Sequence, residues 1–149
     1  MQDSLYDQDL YAWATYSARM VRERRFDELD LEHLAEELES MGKTELRALE
    51  SRITVLLAHL LKWEYQPGRR SKSWQRTLIE QRKRARRLLG DSPSLEPKLP
   101  ALLPDAYDSA LRWAADETGM DERDFPQTCP YSVEQLLDGD FYPDAERRT

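Results

Sequence analysis

The sequence predicts an all-α protein. We expect a helical bundle of about four main helices, with a long, kinked second helix and an irregular C-terminal segment wrapped around the outside. Apolar residues recur at intervals of three and four over long stretches, which is the spacing of one helix face. Only 5 glycines occur in 149 residues, and no run alternates β-branched with polar residues as a half-buried strand would. A chain of this length is expected to form a single domain over residues 1–149.

The stretch from Asp30 to Gln66 is the predicted long helix. Two apolar stripes run along it out of phase, and Gly42 lies between them. Glycine costs about 1 kcal/mol relative to alanine inside a helix. We therefore expect a kink or short break near Gly42, after which the helix faces a different neighbour and is buried more deeply. The first stripe consists of Leu31, Leu34, Leu38 and Met41, and the second of Leu49, Ile53, Leu56, Leu60 and Trp63.

A first helix is predicted before this one, over residues 4–24, with Ser4 or Asp7 as its cap. Asp27 or Asp30 is expected to cap the long helix. That helix must end near Pro67, because proline disfavours a helical residue before it. The inward face of the first helix is expected to consist of Tyr6, Leu10, Trp13, Ser17 and Val21.

Two further helices and a tail follow. The third helix is predicted to open at Ser71 or Ser73 and to stop at Gly90. The fourth is predicted to begin at Pro93 or Leu95, or late near Pro104, and to end at Gly119. The tail has one short helical candidate, residues 132–137, and is expected to be pinned across the bundle by Phe125, Tyr131, Leu136 and Phe141.

Composition predicts a cytoplasmic protein that does not enter a membrane. The N-terminus lacks the basic start and apolar core of a signal peptide. The longest apolar run, residues 53–61, is far shorter than the roughly 20 residues that a membrane span requires. A lone cysteine, Cys129, cannot form an internal disulfide and fits a reducing compartment. No nucleotide-binding glycine loop, zinc spacing or nucleophile motif is present, so we expect no cofactor and no metal.

Charge is strongly segregated along the chain. Residues 1–68 carry a net charge of −6, residues 69–90 of +8, and residues 91–149 of −9. The basic segment could bind nucleic-acid phosphates, or it could pair with carboxylates of the long helix, which the negative overall charge favours. We expect the acidic face to meet the basic face of Arg82 and Arg86, within a subunit or across a dimer. The acidic face is Glu36, Glu37 and Glu39, and the basic set is Arg69, Arg70, Lys72, Arg76, Arg82, Lys83, Arg84, Arg86 and Arg87.

Arg52 and His59 form the first candidate catalytic pair. They lie seven residues apart and so share one helix face. The spacing resembles the Arg-x(4–6)-His motif of the helical ribonucleases known as HEPN domains. That resemblance implies a histidine that handles a proton and an arginine that stabilises phosphate charge. The alternative is a structural pair, in which Arg52 forms a salt bridge and a partly buried His59 bonds to an oxygen atom.

Two weaker patterns have simpler structural interpretations. His33 with Glu36 and Glu37 has the spacing of a helical metal site. However, the chain has only 2 histidines, and they lie too far apart on one helix to share a metal. Trp63, Tyr65 and Trp74 could stack nucleobases beside the basic segment, but aromatic residues at a helix corner are more often packed against the core.

Blocks spread over nearly the whole chain resemble a bacterial family that is abundant in cyanobacteria and catalogued only as domain of unknown function twenty-nine. The blocks occur in family order, and they imply an all-helical single domain without implying an activity. They are residues 6–13 (YDQDLYAW), 31–42 (LEHLAEELESMG), 56–67 (LLAHLLKWEYQP), 70–81 (RSKSWQRTLIEQ), 92–95 (SPSL), 117–119 (ETG) and 125–126 (FP).

These patterns favour a non-enzymatic protein-interaction or accessory module. Its partner is expected to be another protein or a second copy of the chain. The alternative is an RNA-binding protein, or a HEPN-like ribonuclease that uses Arg52 and His59.

Overall fold

The computed structural model describes residues 4–144, which contain six α-helices and no strand. The all-α prediction is therefore confirmed, and the four longest helices, α2 to α5, match the four main helices that the sequence predicts. The helices are α1 (Leu5–Gln8), α2 (Leu10–Arg22), α3 (Leu31–Tyr65), α4 (Lys72–Asp91), α5 (Leu99–Thr118) and α6 (Val133–Leu137). Short 3₁₀ helices connect them at Phe26–Glu28, Pro67–Arg69, Pro93–Lys98 and Glu122–Asp124.

The chain forms two compact units, which we call unit 1 (Met1–Thr44) and unit 2 (Glu45–Thr149). Helix α3 contributes its first part to unit 1 and its remainder to unit 2. No helix within residues 4–144 combines the length and the apolarity that a membrane crossing requires.

Unit 1 begins with two helices where the sequence predicts one. Asp9 is extended, and its side chain accepts a hydrogen bond from the backbone N–H of Ala12 at 3.0 Å, so that it caps α2. Aspartate side chains compete for backbone N–H groups, which explains why the helix is interrupted here. The predicted caps Ser4 and Asp30 are confirmed, since they accept hydrogen bonds from the N–H groups of Asp7 and His33.

The buried face of α2 differs from the predicted one. Trp13, Ser17 and Met20 are buried, whereas Leu10 and Val21 are exposed. The Tyr6 ring packs edge-on against Trp13, with 4.9 Å between ring centres. Helix α1, which carries Tyr6, therefore contacts the side of α2 on which Trp13 lies. Leu10 and Val21 were therefore wrongly predicted to face inward.

Three of the four residues in the first apolar stripe of α3 are also solvent-exposed, and the fourth, Leu34, is half-buried. Leu31, Leu38 and Met41 are 66%, 60% and 65% exposed. Helical spacing places these residues on one face but does not supply anything to cover it. With the other large exposed hydrophobic residues of unit 1 they form what we call the unit 1 apolar surface. It consists of Leu5, Leu10, Tyr11, Val21, Phe26, Leu31, Leu38 and Met41.

Helix α3 runs without interruption through Gly42, so the predicted short break is wrong. A Cβ atom at Gly42 would meet nothing within 4 Å, and the helix there needs no special backbone conformation. The cost of one glycine is small beside the cooperative stability of a 35-residue helix. The predicted change of environment does occur, because all the buried residues of α3 lie from Leu49 onwards.

The second part of α3 forms the centre of the unit 2 core, as predicted. Its leucine and isoleucine side chains are fully buried and belong to the same buried hydrophobic cluster as alanines of α5. Trp63 packs against the same core while remaining partly exposed. The buried side chains of α3 are Leu49, Ile53, Leu56, Leu57, Leu60 and Leu61, and those of α5 include Ala106, Ala110 and Ala114.

The ends of α4 and α5 test the capping predictions. Ser71 caps α4 by accepting a hydrogen bond from the N–H of Trp74 at 3.2 Å. Gly90 does not end α4, which continues to Asp91 because the glycine remains helical and the following Ser92-Pro93 stops the helix. Helix α5 starts at Leu99, after the predicted Pro93 or Leu95 and before the alternative Pro104, because Pro93–Lys98 form a 3₁₀ helix. Gly119 ends α5 with a left-handed φ of 74°, as predicted.

The C-terminal segment packs on the unit 2 core at the predicted positions. Phe125, Tyr131 and Leu136 are buried, and Phe141 is half-buried. The short helix α6 occupies the predicted range, with Ser132 as its N-terminal cap.

Candidate functional site

Arg52 and His59 both lie on α3 in unit 2, but each is bonded to its own neighbour. The Arg52 guanidinium donates from Nη1 to the side-chain oxygen of Gln81 at 3.3 Å. His59 is only 8% exposed, and its Nδ1 lies 3.0 Å from the Val55 carbonyl oxygen one turn earlier. This arrangement matches the structural interpretation of His59, while Arg52 bonds to the side-chain amide of Gln81 instead of forming the expected salt bridge.

A polar cluster that was not predicted from the sequence lies beside His59, whose ring contacts that of Trp113. The buried Lys62 ammonium donates to Glu117 at 2.5 Å, and the indole N–H of Trp113 donates to the other oxygen of that carboxylate at 2.6 Å. These two bonds lower the pKa of Glu117, and burial lowers the pKa of His59. The cluster therefore holds a neutral imidazole next to a lysine whose charge is balanced. Lys62 and Glu117 are 55 residues apart, so no local sequence pattern could reveal the pair.

His33 is held in unit 1 by Asp30 and Tyr6. Its Nδ1 lies 2.5 Å from an Asp30 carboxylate oxygen, and its ring stacks on Tyr6 with 4.0 Å between centres. The Tyr6 hydroxyl donates to Glu37, which raises the pKa of Tyr6 to about 12. Of the predicted acidic face, Glu36 and Glu39 are exposed. Residues 4–144 contain no group of three or more His, Cys, Asp or Glu side chains placed to hold a metal ion.

The two histidines are expected to titrate on opposite sides of the ordinary histidine pKa of about 6.5. The bond to Asp30 raises the pKa of His33, whereas burial lowers the pKa of His59. The stability from His33 is thus fully present below about pH 6.5 and is lost as the pH rises through its folded pKa. The stability from neutral His59 is present above about pH 6.5 and is lost as the pH falls through its folded pKa.

Proton NMR of the two imidazole rings measures both midpoints, and His33→Gln assigns the signals. Coincident midpoints near the ordinary value would contradict the two environments described above.

Arg82 lies inside unit 2, so its predicted place on a basic surface is wrong. It is 1% exposed, and it donates to the carbonyl oxygens of Leu136 at 2.9 Å, Gln135 at 3.2 Å and Phe141 at 2.8 Å. Burial lowers its pKa. The reason for this position is that the irregular C-terminal segment presents carbonyl groups that need donors.

Arg70 and Arg86 contact the same segment. Arg86 donates to the carbonyl oxygen of Leu137, and Arg70 donates to that of Pro143 at 3.4 Å. Arg70 also donates to the Trp63 carbonyl at 2.8 Å and lies over the Trp63 ring. Within unit 2, three residues of the basic set thus bind backbone carbonyls.

The other members of the basic set are exposed, and two of them line a groove. Arg84 and Arg87 lie with Arg52 around a groove of about 300 Å³ between α3 and α4. Arg84 also forms an ion pair with Glu80 at 2.8 Å, and Asp91 contributes a carboxylate to the groove. Besides Arg86, the exposed members are Arg69, Lys72, Arg76, Lys83, Arg84 and Arg87.

Trp63 and Tyr65, two of the aromatic residues near the basic segment, pack against the core, which is the interpretation that the sequence favours. Trp63 contacts Tyr142 with 4.9 Å between ring centres, and Tyr65 contacts Phe125 with 5.0 Å. Trp74 lies against the Lys62 ammonium at 5.1 Å.

A larger cavity, of about 380 Å³, lies where the end of α3 meets the C-terminal segment. It was not predicted, because its walls come from residues that are distant in sequence. Its lining combines one carboxylate with aromatic and proline side chains: Glu64, Tyr65, Pro126, Pro130, Tyr131, Gln135, Phe141 and Pro143.

Comparison with known proteins identifies the family. A family model described as Domain of unknown function DUF29 matches residues 5–142, a range that includes all six helices. No curated protein and no solved structure matches the chain. The resemblance inferred from the sequence blocks is confirmed, and the chain belongs to the family described as Domain of unknown function DUF29.

Proposed function

We propose that this chain is a non-enzymatic protein-interaction module that self-associates through unit 1. The observation that carries the proposal is the distribution of exposed hydrophobic residues. Among residues 4–144, eight of the nine exposed large hydrophobic side chains belong to the unit 1 apolar surface, and the ninth is Ile79 on α4. Single exposed hydrophobic residues are normal, whereas a concentration of them is typical of an interaction surface.

Charge supports a second copy of the chain as the partner. Residues 1–44 contain 11 acids and 5 bases, so that segment is acidic. Ile79 lies on the basic helix, with the exposed bases Arg76 and Lys83 one turn away on either side. An acidic segment that carries exposed apolar residues is complementary to a basic helix that carries an exposed isoleucine.

In the proposed dimer, unit 1 of each copy contacts α4 of the other copy, which is a reciprocal, two-fold arrangement. This contact would bring the acidic face of Glu36, Glu37 and Glu39 to exposed bases of α4 across the dimer. A reducing cytoplasm, as predicted from the single cysteine, suits such a module.

Sedimentation of the full chain over a range of concentrations tests the proposal. We expect a concentration-dependent dimer that weakens with added salt, because the facing charges are exposed. Leu38→Glu and Ile79→Glu are each expected to weaken association by at least about tenfold, or about 1.4 kcal/mol. Mixing these two variants is expected to restore part of the association, since the mixed dimer keeps one intact contact.

Ala101→Glu provides the matched control, because it places the same charge at an exposed position of α5 outside both proposed surfaces. A chain that stays monomeric at all concentrations, or an equal effect of Leu38→Glu and Ala101→Glu, would overturn the self-association.

A second candidate function is RNA binding, which the groove of Arg52, Arg84 and Arg87 favours. Guanidinium groups bind phosphate through paired hydrogen bonds.

A ribonuclease activity is less well supported than RNA binding, because His59 is nearly buried, bonded to Val55 and absent from the groove lining. Binding of a labelled RNA that weakens steeply with salt and is lost in Arg87→Ala would support this candidate, and a flat salt response would exclude it. RNA cleavage that His59→Ala abolishes would establish the enzyme.

A further inference from the structure

We propose that the groove between α3 and α4 binds a phosphate monoester, the doubly charged group that phosphorylated small molecules and phosphorylated RNA ends both carry. The inference goes beyond both proposed functions. It does not require self-association, and its ligand is one terminal phosphate instead of the singly charged phosphates along an RNA backbone. The groove lies wholly within unit 2. Its volume of about 300 Å³ is at the lower end of the range for ligand pockets, roughly 300–1,000 Å³, which favours a small ligand.

The charges that line the groove match a dianion. Arg52 belongs to α3, whereas Arg84 and Arg87 belong to α4, so guanidinium groups border the groove from two helices. Together with the Asp91 carboxylate, three positive charges and one negative charge leave the lining with a net charge of +2. A phosphate monoester carries a charge of about −1.5 to −2 at pH 7 and has three strong acceptor oxygens. Guanidinium groups bind such oxygens through paired, charge-assisted hydrogen bonds.

The contacts of the three arginines leave donors for a ligand. Arg52 donates from Nη1 to the amide oxygen of Gln81 at 3.3 Å, and Arg84 donates from Nε to Glu80 at 2.8 Å. Each bond uses one nitrogen of a group that has five N–H donors. Since Gln81 is neutral, its bond orients the Arg52 guanidinium without cancelling the charge. Within residues 4–144, neither Arg52 nor Arg87 forms an ion pair.

The surroundings of the groove favour the same ligand. The bond from Arg84 lowers the pKa of Glu80, and nearby positive charges that include Arg87 lower it further. This part of α4 therefore stabilises a negative charge. The remaining lining residues, Ala48 and Leu88, are apolar. They can contact the organic part of a monoester, which a free phosphate ion does not have.

Phenyl phosphate and phenyl sulfate test the proposal on the full chain. The two probes have nearly the same shape, but the sulfate carries only one negative charge. We expect phenyl phosphate to cause saturable NMR shifts at the Leu88 methyl groups and to bind at least about tenfold more tightly than phenyl sulfate. Its binding is also expected to weaken as the pH falls through about 6, where a phosphate monoester gains its second proton. Equal binding of the two probes, or no saturable shift, would overturn the proposal.

Three variants at exposed positions locate the binding. Arg87→Ala is expected to weaken the binding of phenyl phosphate by at least about tenfold, and Asp91→Asn is expected to strengthen it by removing the one negative charge of the lining. Lys83→Ala removes a positive charge from the same helix outside the groove, so it is the matched control and is expected to change binding by less than about twofold. Equal weakening by Arg87→Ala and Lys83→Ala would show a diffuse attraction to the basic helix and would overturn the site.

Two short RNAs distinguish the sources of the phosphate group. One trinucleotide carries a terminal phosphate, and the other has the same sequence without it. Tighter binding of the phosphorylated trinucleotide than of phenyl phosphate would assign the groove to an RNA end, and the reverse order would assign it to a small molecule. Equal binding of the two trinucleotides, both tighter than phenyl phosphate, would mean that the groove recognises the RNA backbone, which contradicts the proposal. Leu38→Glu is expected to bind phenyl phosphate normally, which separates a failure of the groove from a failure of self-association.

Discussion

Replacing Arg82 with methionine is expected to lower the free energy of unfolding of unit 2 by about 3–5 kcal/mol, because three backbone carbonyl groups lose a charged donor. Methionine has a similar length and can fill much of the buried space, but it has no donor. The carbonyl groups of Gln135, Leu136 and Phe141 would then lose hydrogen bonds to a charged group, each worth about 1.5–3 kcal/mol. The C-terminal segment is therefore expected to detach from the core more readily than in the unmodified chain.

Urea unfolding followed by tryptophan fluorescence measures the loss, and limited proteolysis reports whether the C-terminal segment is released. Lys83→Met is the matched control, because it makes a similar change at the next, exposed position of the same helix and is expected to stay within about 0.5 kcal/mol of the unmodified chain. Equal stability of the Arg82 and Lys83 variants would show that the arginine does not hold the segment.

The contrast between Arg82 and Lys83 also shows what local sequence can establish. The run of bases from Arg82 to Arg87 correctly predicts a polar helix, since short-range spacing reports which residues share a face. It does not distinguish the one guanidinium that is buried. That distinction depends on carbonyl groups 53 to 59 residues further along the chain, in a segment whose irregular backbone needs donors from elsewhere.

In the candidate site, too, the local contacts could be predicted from the sequence and the long-range contacts could not. The placement of Arg52 and His59 along one helix follows from the helical repeat and could be predicted. The bond from His59 to Val55 is local as well, and it agrees with the predicted alternative in which a partly buried His59 bonds to an oxygen atom. The Lys62–Glu117 pair and the cavity at Glu64 could not be predicted, because their partners come from α5 and the C-terminal segment. Prolines in the tail were the one indication that its carbonyl groups would need donors.

Helix α3 contains the clearest case in which spacing alone misleads. Both of its apolar stripes have helical periodicity, yet only the second is buried in a core, and three of the four residues in the first are exposed. An apolar stripe shows that its residues share one helix face. The same spacing occurs on a face that packs against the core of its own chain and on a face that binds another molecule. The unit 1 apolar surface is the second kind of face if the proposed dimer exists.

Leu56→Ala and Leu38→Ala remove the same atoms from the same helix and are expected to differ greatly in effect. Leu56 is fully buried in the unit 2 core, so its truncation is expected to cost about 2–5 kcal/mol through lost burial and the cavity left behind. Leu38 is largely exposed, so its truncation is expected to change the stability of the monomer by less than about 0.5 kcal/mol. Urea unfolding at low protein concentration measures both values without a contribution from association.

Raising the protein concentration then tests the role of Leu38. If the unit 1 apolar surface forms the dimer contact, the unmodified chain gains stability with concentration, because association favours the folded state. The stability of Leu38→Ala is expected to rise less with concentration. The stability of Leu56→Ala starts lower, but it is expected to rise by the same amount as that of the unmodified chain. Similar losses for both variants at low concentration would mean that Leu38 is covered within the monomer. The self-association proposal would then lose the exposed surface on which it depends.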